Sequence, residues 1–169
     1  VHLPPEEVRR RDNAHEPPDF LLKHLAELGL LAIPFPAEYG GLADSWTTVA
    51  VAHERLGYHA AMAASLFGTT LGFGGMSVFT YGSEEQRRTL LPKIIAGELR
   101  FALALTEPGA GSDAGALITR ARRGDGGWII NGRKTWISAA DQADYIVTAC
   151  RTTTQSEGSK GISMLLVPG

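Results

Sequence analysis

The run Phe101-Ala-Leu-Ala-Leu-Thr-Glu-Pro-Gly-Ala-Gly-Ser-Asp-Ala-Gly115 sets small hydroxyls among closely spaced glycines at the end of an apolar stretch. A short apolar run bounded by Pro and Gly reads as a strand with one or both faces buried. Pro108 ends it. Beyond that point Gly109, Gly111 and Gly115 let a ligand approach the backbone more closely than a Cβ would permit. Peptide N–H groups in such a turn can face a flat or anionic group, and Thr106 and Ser112 add hydroxyls that donate or accept. Taken alone, the segment reads as a hairpin turn on a β-domain, because turns of this composition are common and need bind nothing. A second segment, Asn131-Gly-Arg-Lys-Thr-Trp-Ile-Ser138, changes that balance. Its Asn-Gly is a tight-turn signal, and a strand after the turn places Trp136 and Ser138 on one face by alternation. An indole plane beside a hydroxyl, facing amide donors, suits a flat heteroaromatic ring with polar edges.

Together Ala104-Leu-Thr-Glu-Pro-Gly-Ala-Gly-Ser-Asp-Ala-Gly-Ala116 and Asn131 to Ser138 resemble the flavin-binding signature of the acyl-CoA dehydrogenases. Ile33-Pro-Phe-Pro-Ala-Glu-Tyr-Gly-Gly-Leu42 and Tyr81-Gly-Ser-Glu-Glu-Gln-Arg-Arg-Thr-Leu-Leu-Pro92 resemble that family's helical N-terminal domain, so the likeness spans nearly the whole chain. It implies an α+β architecture: an N-terminal all-helical bundle over residues 1–97, then an incomplete antiparallel β-barrel or sandwich over 98–169. It also implies FAD as cofactor and α,β-dehydrogenation of an acyl-CoA thioester to the trans-2-enoyl-CoA. In that reaction a carboxylate removes the α-proton and a hydride leaves the β-carbon for flavin N5, the cofactor carrying the hard step.

Carried over residue by residue, the resemblance assigns the Leu103, Ala104, Leu105 and Thr106 strand end to backbone contacts with the flavin. The Thr106 hydroxyl lies near the N1 and O2 side. Trp136 packs against the ring system with Ile137 beside it, and Ser138 bonds near N5 or O4. Gly111 is assigned to the cofactor site, and Ser112 lies by the thioester and pantetheine arm of the substrate or by the flavin phosphates. Leu103 stands where an aromatic is often found, and Ser138 where threonine is also frequent. In the family a C-terminal helical bundle carries the catalytic glutamate and builds the oligomer. No carboxylate in residues 1–169 matches that base, so Glu107, Asp113 and Asp141 are not assigned to it. The expectation is a fragment, itself inactive and holding cofactor weakly, of a homotetrameric or homodimeric parent served by an electron-transfer flavoprotein or similar acceptor. A flavin monooxygenase or oxidase of the same fold, a partner module without catalysis, and a β-domain whose motifs are unused stay open as other readings.

Helices and strands follow from the hydrophobic pattern. Asp19 to Gly29 has apolar residues at 21, 22, 25 and 28 with a glycine stop, an amphipathic helix preceded by a short helix and a Pro-rich lead-in. Pro34, Pro36 and Gly40-Gly41 make a loop before Ser45, which caps a helix from Trp46 to about His59. His24 reads as a surface residue. His53-Glu54 lacks the second histidine of a zinc helix, because position 57 is Gly57. From Ala60 to Gly82 no charged residue occurs, but the many glycines and the absence of flanking basic clusters favour a buried, glycine-interrupted helix pair over a membrane span. The resemblance places this region by the acyl-chain cavity. Ser83-Glu-Glu-Gln86 is a capping box opening a helix with Leu90, Leu91, Ile94 and Ile95 inward, which Gly97 closes.

Beyond it the pattern predicts an antiparallel meander, with a hairpin at Gly124-Asp-Gly-Gly127 and further strands over Asp144 to Cys150 and Gly161 to Val167. The polar loop from Thr152 to Lys160 is expected to be mobile. Strands where a helix should follow argue against a Rossmann fingerprint at Gly109 to Ala114. Ala110 stands where a nucleophile elbow needs glycine, which argues against a serine hydrolase. A net charge of −2 offers no basic field for nucleic acid. The single cysteine, Cys150, excludes an internal disulfide and a multi-cysteine metal site, and reads as a buried strand thiol. No leader pattern opens the chain, so the expected compartment is the cytoplasm, or the mitochondrial matrix in a eukaryote.

Overall fold

The structure is a computed structural model describing residues 4–16, 19–153 and 159–169. The chain divides into two compact units, Val1–Arg100 and Phe101–Gly169.

The first unit is helical: α1 (Pro5–Asn13), α2 (Asp19–Glu27), α3 (Trp46–His59), α4 (Ala61–Gly68), α5 (Met76–Tyr81) and α6 (Glu84–Ile95). Local chemistry sets the helix ends. Ser45 Oγ accepts the Thr48 amide at 3.3 Å. Ser83 and Gln86 form the complete capping box, with bonds of 3.2 and 2.9 Å, the reciprocal arrangement that satisfies two orphan amides. Gly29 and Gly97 take the left-handed conformation after α2 and α6, which only glycine adopts without strain. Leu21, Leu22 and Leu25 bury the inner face of α2, but Leu28 lies one residue past the helix and is exposed.

The uncharged stretch is one helical run, not the expected pair. A π turn over Thr69–Gly75 joins α4 directly to α5. Its glycines are used for packing rather than for breaking the helix. A Cβ on Gly75 would lie 2.4 Å from Cζ of Phe35, whose buried ring also meets Phe79 edge-on at 6.1 Å. Among the described residues Ala61–Tyr81 is the one helix long and apolar enough to cross a membrane by length and composition. Here Ala63, Phe67, Leu71 and Val78 on it are buried within the unit.

Among the described residues the second unit is a five-stranded sheet of β1 (Phe101–Ala104), β2 (Arg120–Gly124), β3 (Gly127–Asn131), β4 (Tyr145–Arg151) and β5 (Ile162–Pro168). The order is β1-β4-β2-β3, with β5 on the other side of β4. The hairpin at 124–127 forms as the sequence predicts, and β4 pairs antiparallel with β5. The sheet is nevertheless mixed, which corrects the meander: β1 runs parallel to β4, with Phe101 opposite Tyr145, and β2 meets β4 in parallel at Arg120 and Arg151. Parallel neighbours need a crossover rather than a tight turn, and here residues 105–144 supply it. Ala110, Leu117 and Ala149 form a buried core against which Leu105, Ala116 and Ile162 pack. Cys150 is buried in β4 and unbridged, its thiol pushed upward chiefly by burial. The middle of the 152–160 loop lies outside the described residues.

Candidate functional site

The glycine-rich turn is anchored at its base and open at its tip. Glu107 and Ala110 exchange both backbone bonds, at 2.9 and 3.1 Å, with Pro108 and Gly109 at the corner. The Glu107 side chain then turns inward. It is buried and accepts the amides of Ile118 at 2.7 Å and Thr119 at 2.9 Å and the ammonium of Lys134 at 2.9 Å. Burial alone would raise the pKa of this carboxyl. Bonds from Ile118, Thr119 and Lys134 outweigh it and hold the group down to about 2, since bonds to the ionised form favour it. Arg151, also buried, bonds the Leu117 carbonyl through Nε at 2.8 Å and the Gly115 carbonyl through Nη2. The segment leaving the turn is thus gripped from two sides.

The second segment does not form the expected strand. Asn131 is still paired in β3 with Arg120, and residues 132–137 run on without a ladder partner. Gly132 serves close packing instead of a turn, since a Cβ there would lie 2.2 Å from Thr119 Oγ1 and 2.7 Å from Thr119 Cα. Trp136 takes a left-handed backbone, φ 59°, so strand alternation does not place Trp136 and Ser138 on one face. The physical reason lies one and two residues earlier. The Thr135 amide donates to the Thr106 carbonyl at 3.0 Å. Lys134 Nζ donates to the Leu105 carbonyl at 3.0 Å and to Glu107 Oε1 at 2.9 Å. Tertiary partners outside the hairpin have claimed the donors.

These bonds bring the two motifs together at Leu105, Thr106 and Glu107 on one side and Lys134 and Thr135 on the other. Leu103 and Thr106 are half-buried and Ala104 is buried, so Ala104 can offer a ligand only backbone. Among the described strands β1 pairs with β4 alone, and an edge strand leaves every second N–H and C=O without a ladder partner. The Leu105 side chain faces the core. Trp136 stands 88% exposed, Ile137 half-buried, and Gly111, Ser112 and Ser138 exposed. Among the described residues no hydrogen bond draws Ser112 or Ser138 to the Thr106–Thr135 junction.

Gly109 and Gly111 have ordinary backbone angles and open space where a Cβ would stand. The chain's own packing does not demand glycine at either position, which fits a cradle kept bare for close approach by a ligand. An exposed indole, an edge strand and a bare glycine turn in one unit fit a flat ring system with a polar edge and an anionic tail. The Glu107–Lys134 pair lies beneath this surface. Neither the composition nor the spacing of the two motifs points to Lys134 or to a structural role for Glu107. One acid in an otherwise apolar strand end, Phe101 to Thr106 followed by Glu107, was the available signal.

Two grooves lie elsewhere. One of about 590 Å³ runs along the β2–β3 hairpin past Arg120, Arg122, Asn131 and Arg151. The other, of about 640 Å³ and mainly apolar, opens between α2 and α3 beside Leu28. Neither is lined by a residue predicted to hold the cofactor.

Residues 102–169 match the family described as acyl-CoA dehydrogenase, middle domain, and residues 2–98 match acyl-CoA dehydrogenase, N-terminal domain. The acyl-CoA dehydrogenase FadE26 of Mycobacterium tuberculosis is 38% identical over 143 residues, covering 83% of this chain and 35% of that protein. The solved butyryl-CoA dehydrogenase of Megasphaera elsdenii superposes with a TM-score of 0.89 at 28% identity, over 98% of this chain and 44% of the other. The prolyl acyl carrier protein oxidase AnaB superposes with a TM-score of 0.81 at 29% identity, over 89% and 40%. The chain spans about two-fifths of the length of the curated relatives it matches, 41% and 42% for two of them.

Proposed function

As this chain belongs to the acyl-CoA dehydrogenase family, we propose that its second unit is the flavin-cradling part of an enzyme that oxidises an acyl-CoA thioester across the α,β bond. FAD, when bound, supplies the two-electron acceptor for that chemistry. The residues of this chain bind and orient. The open edge of Leu103 to Thr106 offers backbone amides to the polar rim of the ring, Trp136 and Ile137 cover a face of it, and the Thr106 and Ser138 hydroxyls bond its edge atoms. Gly111 and Ser112 receive the phosphates, and Ser112 is also a candidate contact for the thioester arm. Preorganised amide donors at this strand end would stabilise negative charge developing beside them. No carboxylate of this chain is assigned as the base that takes the α-proton. The acceptor of the electrons is an electron-transfer flavoprotein or a protein of that kind, and a homo-oligomer is the working assembly. The observation that supports this reading is the junction of the two motifs, Thr135 on the Thr106 carbonyl and Lys134 on the Leu105 carbonyl, in a unit that also carries an exposed Trp136 and a bare glycine turn.

A second reading, oxidation of an acyl group held on a carrier protein, is supported by the likeness to the prolyl carrier-protein oxidase. It uses the same flavin surface and differs in the thioester's carrier and in passing the electrons to dioxygen.

Titration of the chain with FAD, followed in the flavin's visible absorbance, tests the shared core of both readings. The expected outcome is a red-shifted, resolved flavin band that Trp136→Ala removes. Free-flavin spectra in both proteins would count against the assigned surface. Rapid reoxidation of the reduced flavin by dioxygen would favour the oxidase.

A further inference from the structure

The junction of the two motifs stands on a buried ion pair. The Glu107 side chain is 2% exposed and that of Lys134 11%. Lys134 bonds both Glu107 and the Leu105 carbonyl, and Thr135 bonds the Thr106 carbonyl, so two consecutive residues are tied to the end of β1. The next residue is Trp136, with φ 59° and its ring in solvent. A left-handed backbone under a large side chain costs about 1–2 kcal/mol, and an exposed indole gains no burial to offset it. Such conformations persist where neighbouring contacts over-determine them, and they gather at ligand sites. The contacts that do so here are those of Lys134 and Thr135.

We propose that Lys134 is a positioning residue, which clasps Glu107 and the Leu105 carbonyl and thereby holds Trp136 outward as a preformed stacking plane for the flavin ring. The proposal rests on the flavin reading for what Trp136 meets, but not for the clasp itself. Holding the indole in place before the ligand arrives removes an ordering cost from binding. The charge matters because Glu107 is buried. Without the ammonium it keeps the donors of Ile118 and Thr119 but no opposite charge, and the strain at Trp136 loses one of its two anchors. Charge-assisted bonds of this kind are roughly twice as strong as neutral ones.

The test labels the three tryptophans with fluorotryptophan and records fluorine NMR of the chain with and without FAD, in wild type, Lys134→Met and Lys134→Arg. The expected result in Lys134→Met is a shifted or broadened Trp136 line with Trp46 and Trp128 unmoved, and FAD affinity about tenfold weaker or worse. Lys134→Arg restores most of both, a rescue that general destabilisation would not give. An unmoved Trp136 line with unchanged FAD affinity in Lys134→Met overturns the proposal and leaves the flavin reading standing. A wild-type chain that ignores FAD while Lys134→Met still moves Trp136 overturns the flavin reading and supports the clasp. If Lys134→Met moves all three lines, Glu107→Gln takes its place. That variant keeps an oxygen acceptor but loses the charge, and an unmoved Trp136 line in it overturns the proposal.

Discussion

Thr135 donates its amide to the carbonyl of Thr106 at 3.0 Å, joining the segment after β3 to the end of β1. A hairpin at Asn131-Gly132 would have turned that amide toward β3. The bond to Thr106 instead carries residues 132–137 across the end of β1, so that two motifs far apart in sequence share one surface.

Glu107 makes the stability of this surface sensitive to acid. Its carboxyl is held down to about 2 in the folded chain, against 4.5 for an ordinary glutamate. It therefore stabilises the fold fully above the unfolded value, and that contribution fades as pH falls from about 4.5 toward 2. A shift of this size corresponds to about 3 kcal/mol. Urea unfolding of the chain at a series of pH values should show a loss across that interval that Glu107→Gln lacks. Parallel pH profiles would contradict the role given to this carboxylate.

Trp136→Gly should separate folding from binding. Glycine accepts the left-handed backbone without strain, and the indole contributes almost no burial. The unliganded variant is expected to match or exceed wild-type stability, by up to about 1 kcal/mol, while FAD affinity falls at least about tenfold. Thermal unfolding and a flavin titration on the same samples decide it. Loss of stability would mean that the ring is packed rather than presented.

Two glycine-to-alanine changes should behave oppositely. At Gly132 the new methyl meets the Thr119 side chain and backbone, whereas at Gly111 it meets nothing. Gly132→Ala should destabilise the second unit by about 1–3 kcal/mol through overpacking. Gly111→Ala should leave the unfolding midpoint in place and weaken flavin binding, because only the ligand needs the bare turn. Equal stability of the two variants would contradict the packing at Gly132.

In the helical unit, Ser83→Ala removes the hydroxyl that accepts the Gln86 amide and breaks the capping box of α6. The expected cost is about 1 kcal/mol, read as a lower denaturant midpoint, with flavin binding by the second unit unchanged. A midpoint equal to wild type would show that packing of Leu90, Leu91 and Ile94 alone fixes the start of α6.

Features that depend on neighbours along the chain are legible in the residues themselves. Ser45 and Ser83 mark helix starts because a hydroxyl reaches an amide three residues on, and Gly29 and Gly97 mark ends because the backbone there turns left-handed. The 124–127 hairpin and the strands on either side of the 152–160 loop are likewise local patterns of turn residues and alternation. Tertiary structure decided what depends on partners far apart. Periodicity says that β1 and β4 are strands, but not that they run parallel. It says that Ala61–Tyr81 is apolar, but not that the ring of Phe35 fills the place of a side chain at Gly75 and leaves the helix unbroken. Composition shows an acid and a lysine within two motifs, but only burial of Glu107 creates the demand for a charged donor that Lys134 meets. That pairing draws the 132–137 segment out of strand geometry and leaves Trp136 facing solvent, because a buried carboxylate without its donors costs more than one strained backbone angle.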